Sequence, residues 1–132
     1  MAAVAEAQRC LQCSCAKVDA CVLRCLATEY QADPHAFAGE RRAFERETTH
    51  PDIVFEPGKC ILCGRCIRIT EAAREQYGLT FIGRGFPVKT AVPFDEPLRE
   101  ALRQVAAECV AACPTGAIAF AERRGTRRTS ND

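Results

Sequence analysis

Cys60, Cys63 and Cys66 are each separated by two residues, and Cys113, far downstream, is followed directly by Pro114. Three thiols on one tight loop with a remote Cys-Pro match the pattern that wraps a cubane 4Fe–4S cluster. The loop supplies three corners of the cube and the distant cysteine closes the fourth. Such a chain has to bring residue 113 back to the loop at 60–66, which constrains its fold more than any other feature does. Zinc is the competing ligand, but zinc favours paired C-x2-C knuckles that close a tetrahedron, and the middle thiol of C-x2-C-x2-C is awkward in such a ribbon. Disulfides suit small secreted domains. The opening Met1-Ala-Ala-Val-Ala-Glu-Ala-Gln-Arg has neither the basic start nor the apolar stretch of a secretory signal.

The pattern also shows what has been lost. Two-cluster bacterial ferredoxins write C-x2-C-x2-C-x3-C-P twice, and the fourth cysteine of each run binds the other run's cluster. Here the first run keeps Cys60, Cys63 and Cys66 but carries Thr70 at its fourth position. The second keeps Cys109 and Cys113 but has Arg103 and Ala106 at its first two positions. The exchange rule leaves Cys60, Cys63, Cys66 and Cys113 as one complete set. Of the other set only Cys109 can bind iron, so it is expected to be a buried free thiol, a small hydrophobe on a helix.

A second group, Cys10, Cys13, Cys15, Cys21 and Cys25, lies in R-C-L-Q-C-S-C-A-K-V-D-A-C-V-L-R-C and contains half of the 10 cysteines. A segment this small cannot hold itself together by a hydrophobic core, so a metal or cluster is its expected staple. A second 4Fe–4S cluster is the expectation, with zinc as the alternative, because short C-x2-C spacings serve both. Cys10 and Cys13 open either ligand set. Cys15 with Cys21 completes one, and Cys21 with Cys25, one helical turn apart, completes the other. Spacing leaves both open.

At 132 residues with a formal charge of +1, the chain has room for one or two very small modules and lacks the broad basic footprint of a nucleic-acid binder. No apolar run approaches the roughly 20 residues that span a bilayer, so a soluble protein without membrane insertion is expected. Cysteines kept available for iron point to a reducing compartment, the cytoplasm. The expected organisation is a cysteine-rich segment over 1–32, helical after its cluster loop, and a polar connector over 33–52. A ferredoxin-like domain over 53–121 and a basic tail over 122–132 follow, the tail being either disordered or docked on a partner. The fold class is α+β.

Within the connector, Asp33 is placed to cap a short helix with Pro34 at its first position, and the mixed charges from Gly39 to Glu47 suggest a solvated face with local ion pairs. His35 and His50 lie outside the cysteine groups and are read as surface or capping residues, not as metal ligands. In the third segment, Ile53-Val-Phe and Ala117-Ile-Ala-Phe-Ala are short β-prone runs placed to pair. Ile67 to Tyr77 is a predicted helix ended by Gly78. Leu79 to Ile82 and Val88 to Val92 are predicted strands around the turn Gly83-Arg-Gly-Phe-Pro. Pro97 opens an amphipathic helix whose stripe is Leu98, Leu102, Val105, Ala106 and Cys109.

The stretches K59-C-I-L-C-G-R-C-I-R, F81-I-G-R-G-F and C113-P-T-G-A-I resemble the ferredoxin-like cluster domain of the large iron–sulfur subunit of complex I, NAD-linked hydrogenases and formate dehydrogenases. The resemblance covers residues 55–121 and implies a cluster on the four cysteines already named. The preceding E6-A-Q-R-C-L-Q-C is similar to the opening of glutamate synthase small subunits and related flavin oxidoreductases, where clusters exchange electrons with a flavin domain. That resemblance favours Cys10, Cys13, Cys15 and Cys21 as the second ligand set, with Cys25 as the alternate. No G-x-G-x-x-G follows a strand, so the flavin is expected on a partner.

Together these features imply an electron-transfer subunit with two 4Fe–4S clusters and no catalysis of its own. It would relay electrons between a flavin- or metal-containing oxidoreductase subunit and a second redox partner in a hetero-oligomeric complex. A zinc-stabilised interaction module without redox role is the alternative. Ile61, Ile67 and Ile118 are the expected apolar shield, backbone N–H groups near Gly64 and Gly116 the expected donors to sulfur, and Arg65 and Arg84 candidates for electrostatic tuning.

Overall fold

The computed structural model describes residues 15–17, 20–33, 36, 39–40 and 45–121, and mixes short helices with short strands. After the Cys15 loop comes α1 (Val22–Glu29), a helix with no buried residue. Residues 34–35, and residues 41–44 of the charged run after Gly39, lie outside the described residues, as do Cys10, Cys13 and the basic tail. Where the chain is described again it is extended. Glu47 forms an antiparallel bridge to Phe55, and the ion pairs of this stretch are long-range, from Glu45 to Lys89 and from Arg46 to Glu56. The connector's end is therefore tied to the chain that follows, while the local ion-pair pattern expected from Arg41 and Arg42 lies outside the described residues.

Strand β1 (Ile53–Phe55) pairs antiparallel with β4 (Ile118–Phe120), joining Ile53 to Phe120 and Phe55 to Ile118. All of β1 is buried, as its unbroken apolar run requires. The predicted hairpin also forms, with β2 (Thr80–Ile82) antiparallel to β3 (Lys89–Ala91). Gly83, at φ 83°, permits the turn, and a Cβ there would crowd the Pro87 carbonyl at 3.0 Å. Between the two strand pairs runs α2 (Arg65–Ala72), which stops well short of Gly78. Its end comes at Arg74, in the left-handed region at φ 53°, where Arg74 N–H bonds to the Glu71 carbonyl.

The stripe from Leu98 to Cys109 forms two helices in place of the single one predicted. They are α3 (Leu98–Ala101) and α4 (Ala106–Ala112), with Leu102 out of helical geometry between them. Residues remote in sequence cap both pieces. Leu98 N–H donates to Thr49 Oγ1 at 2.8 Å, and the Leu102 carbonyl receives His50 Nε2 at 3.1 Å. Glu75 Oε1 accepts from the N–H groups of Gln104 and Val105, at 2.6 and 3.2 Å, at the start of α4. The break costs no burial: Leu98, Leu102 and Cys109 are each 0% exposed and share one core with Ile53, Phe55 and Ile118. Among the described residues, no helix is long and apolar enough to cross a membrane.

Candidate metal centre

The loop that carries three thiols begins on a pinned turn. Pro57–Lys59 forms a single 3-10 turn, and Cys60 N–H closes it on the Pro57 carbonyl at 3.1 Å. Beneath it Glu56 is buried and ion-paired with Lys59, and its own N–H bonds to the Ala117 carbonyl at 2.7 Å. The chain then passes through two left-handed residues, Leu62 at φ 58° and Gly64 at φ 72°. These reversals curl residues 60–64 around a hollow before α2 starts, and the first turn of α2 carries Cys66. One of them also aims the Leu62 N–H at Cys60 Sγ, 3.3 Å away. Across the hollow, α4 ends at Cys113.

Cys60, Cys63, Cys66 and Cys113 line one small, partly open pocket. Phe55, Ile61 and Ile118 form apolar wall, and Thr90, Thr115 and Arg65 are also at its surface. A wider, open cleft beside His50, Arg99 and Arg103 contains no cysteine. Among the described residues, no three His, Cys, Asp or Glu side chains stand close enough to share a single metal ion. The four thiols line the same pocket.

Hydrogen bonds give the sulfurs unequal surroundings. Thr90 is buried on β3, and its hydroxyl lies 3.6 Å from Cys60 Sγ. Thr115 Oγ1 is 3.7 Å from Cys113 Sγ, but its proton goes to the Lys59 carbonyl at 3.0 Å. Cys60 therefore has a backbone donor and a hydroxyl partner, whereas Thr115 chiefly ties the Cys113 loop to the Cys60 turn. Burial, then the charges of Cys60, Cys63 and Cys113, pushes the Cys66 thiol up to about 11. Bare thiolates packed this closely repel one another, and metal binding relieves that repulsion by displacing their protons.

Residues that a second ferredoxin cluster would need are occupied otherwise. Thr70 is buried, donates to the Ile67 carbonyl at 2.8 Å and accepts the Leu79 N–H at 3.2 Å, so it fastens α2 to the approach of β2. Arg103 is exposed and paired with Glu100. Cys109 is in the core, 3.9 Å from the Cys66 carbonyl, and burial pushes its thiol up to about 12, with a further contribution from Cys66. It has the environment of a packing residue.

Of the N-terminal group, Cys15, Cys21 and Cys25 are described. Cys15 lies against Gly116, where any Cβ would overlap its Sγ. Cys21 is half-buried with Sγ 3.9 Å from the Pro114 carbonyl, and Cys25, one turn further along α1, is exposed. Both inward-facing thiols therefore abut the loop that carries Cys113. His50 Nδ1 accepts the Asp52 N–H at 3.1 Å, so its Nε2 carries the proton given to Leu102, and both ring nitrogens are committed to capping. His35 lies outside the described residues.

Among the expected tuning groups, Ile61, Ile118 and Arg65 reach the cavity; Arg65 also extends to the Ala112 carbonyl at 3.4 Å. Ile67 packs into the core, and Arg84 stands on the exposed hairpin turn. Phe55, Thr90 and Thr115 were not anticipated as site residues. Only the closeness of Thr115 to Cys113 signalled one of them.

A segment of 104 residues, 79% of the chain, is 30% identical to the NADP-reducing hydrogenase subunit HndD of Solidesulfovibrio fructosivorans. The chain is homologous to part of a hydrogenase subunit. It spans 18% of that protein's length. A solved NAD+-reducing [NiFe]-hydrogenase in the H2-reduced state superposes with a TM-score of 0.74 at 25% identity, covering 89% of this chain and 50% of the matched one. No protein-family model matches the chain. These similarities bear out the expected kinship with NAD-linked hydrogenase modules.

Proposed function

We propose that the chain is a ferredoxin-like electron-transfer subunit of an oxidoreductase complex, carrying two 4Fe–4S clusters and performing no catalysis itself. The observation that carries this reading is the convergence of Cys60, Cys63, Cys66 and Cys113 on one partly apolar cavity. Homology to a hydrogenase subunit supports the redox role over that of a zinc-held interaction module. Bound clusters would supply reversible one-electron storage. Cys60, Cys63, Cys66 and Cys113 would hold one, and Cys10, Cys13, Cys15 and Cys21 the other, with Cys25 as alternate.

The remaining residues act on that chemistry from the protein side. Phe55, Ile61 and Ile118 keep water from the cavity, while the Thr90 hydroxyl and the Leu62 N–H stabilise charge on Cys60 Sγ. Cys63 and Ile61 are exposed, so this edge is the face offered to a flavin- or metal-containing partner. Metal and sulfide analysis of anaerobically purified protein tests the reading, with about eight irons and about eight sulfides per chain expected. Zinc without iron or sulfide would sink it.

A further inference from the structure

The N-terminal cysteine segment meets the Cys113 loop through a set of contacts centred on Lys17. Its Nζ donates to the Val110 carbonyl at 2.9 Å and to the Cys113 carbonyl at 2.8 Å. The first of these acceptors has a specific need. In a continuing helix Val110 would receive the N–H of residue 114, but that residue is Pro114, which has none. Lys17 supplies the missing donor from a different part of the chain, and its positive charge sits at the negative end of α4.

Three further contacts converge on the same few residues. Leu23 N–H donates to the Pro114 carbonyl at 3.3 Å, Cys21 Sγ approaches that oxygen, and Cys15 Sγ fills the space where Gly116 lacks a side chain. Lys17 lies between Cys15 and Cys21 in sequence and contacts the carbonyl of Cys113 in space.

We propose that Lys17 is a positioning residue that couples the two cluster sites, holding the Cys15–Cys21 segment on the Cys113 loop and placing a positive charge beside the Cys60–Cys113 site. The second part rests on the function proposed above. One-electron reduction adds negative charge to a cluster, so a nearby cation favours the reduced state and raises the potential.

The test uses the full chain, purified anaerobically, as wild type, Lys17→Met, Lys17→Arg and Gly116→Ala. Iron and sulfide are counted first, and EPR is recorded across a potential range poised with dithionite and mediators. Lys17→Met removes donor and charge while keeping much of the stem. It should retain the Cys60–Cys113 cluster with its potential shifted negative, and Lys17→Arg should return the potential towards wild type. Gly116→Ala should deplete the N-terminal cluster and leave the other signal in place.

A Lys17→Met potential equal to wild type overturns the coupling, as does failure of Lys17→Arg to restore it. A wild-type chain with zinc and no iron instead defeats the function reading and the potential effect with it. Hydrogen exchange at Leu23 then reads the clamp without any cluster. Protection should fall about tenfold in Lys17→Met, and unchanged protection overturns the clamp too.

Discussion

The two cysteine regions are built on opposite principles. Residues 53–121 surround their thiols with a core in which Ile53, Leu98, Leu102 and Ile118 are almost wholly buried, and the ladder of β1 with β4 draws the ends of that region together. The N-terminal segment offers a helix with nothing buried and leans on the Cys113 loop through Lys17, Leu23 and two cysteines. One site is positioned by a fold that exists around it. The other takes its order from what it touches and, on the function proposed above, from the cluster it would bind, so metal should matter to the two regions very unequally.

The sharpest way to break this contrast is to remove the metal. After chelation, the amides of Leu23 and Cys25 should lose much more hydrogen-exchange protection than those of Phe55 and Glu47, which are bonded to each other and keep most of theirs. Equal loss in both regions would show that the core does not stand alone.

Cysteine substitution comes next in size. Cys63→Ser should remove about half of the iron and one EPR signal, and Cys109→Ser should remove neither. Equal losses would refute the ligand assignment. A smaller effect separates the regions by packing: Leu102→Ala should cost about 2–5 kcal/mol of unfolding free energy, whereas Leu23→Ala, on the exposed face of α1, should stay within about 0.5 kcal/mol. Denaturant titration of the apoprotein checks both. Smallest is the cap on α3. Thr49→Ala removes the acceptor for Leu98 N–H and should cost about 1 kcal/mol in the same titration, without changing iron content.

What was legible in the sequence was local. Period and turn chemistry revealed both strand pairs, and ligand spacing marked the cysteines that share a cavity. The split of the Leu98–Cys109 stripe could not be read there, because Thr49, His50 and Glu75 cap its two pieces from distant positions. Thr90 was hidden for a similar reason: nothing near it in sequence marks a strand threonine as a neighbour of Cys60. Lys17 was the hardest, since its partners are carbonyl groups, whose need for a donor arises from Pro114 and whose proximity arises only on folding.

The β1–β4 ladder has a consequence for how such a region sits in longer polypeptides. Ala121 N–H bonds to the Asp52 carbonyl at 2.9 Å, so the chain enters and leaves the compact region side by side. Segments added before or after it would branch from a single seam. A region closed at one seam is portable: it tolerates insertion into proteins of very different length. The chain as a whole resembles a fraction of a much longer hydrogenase subunit.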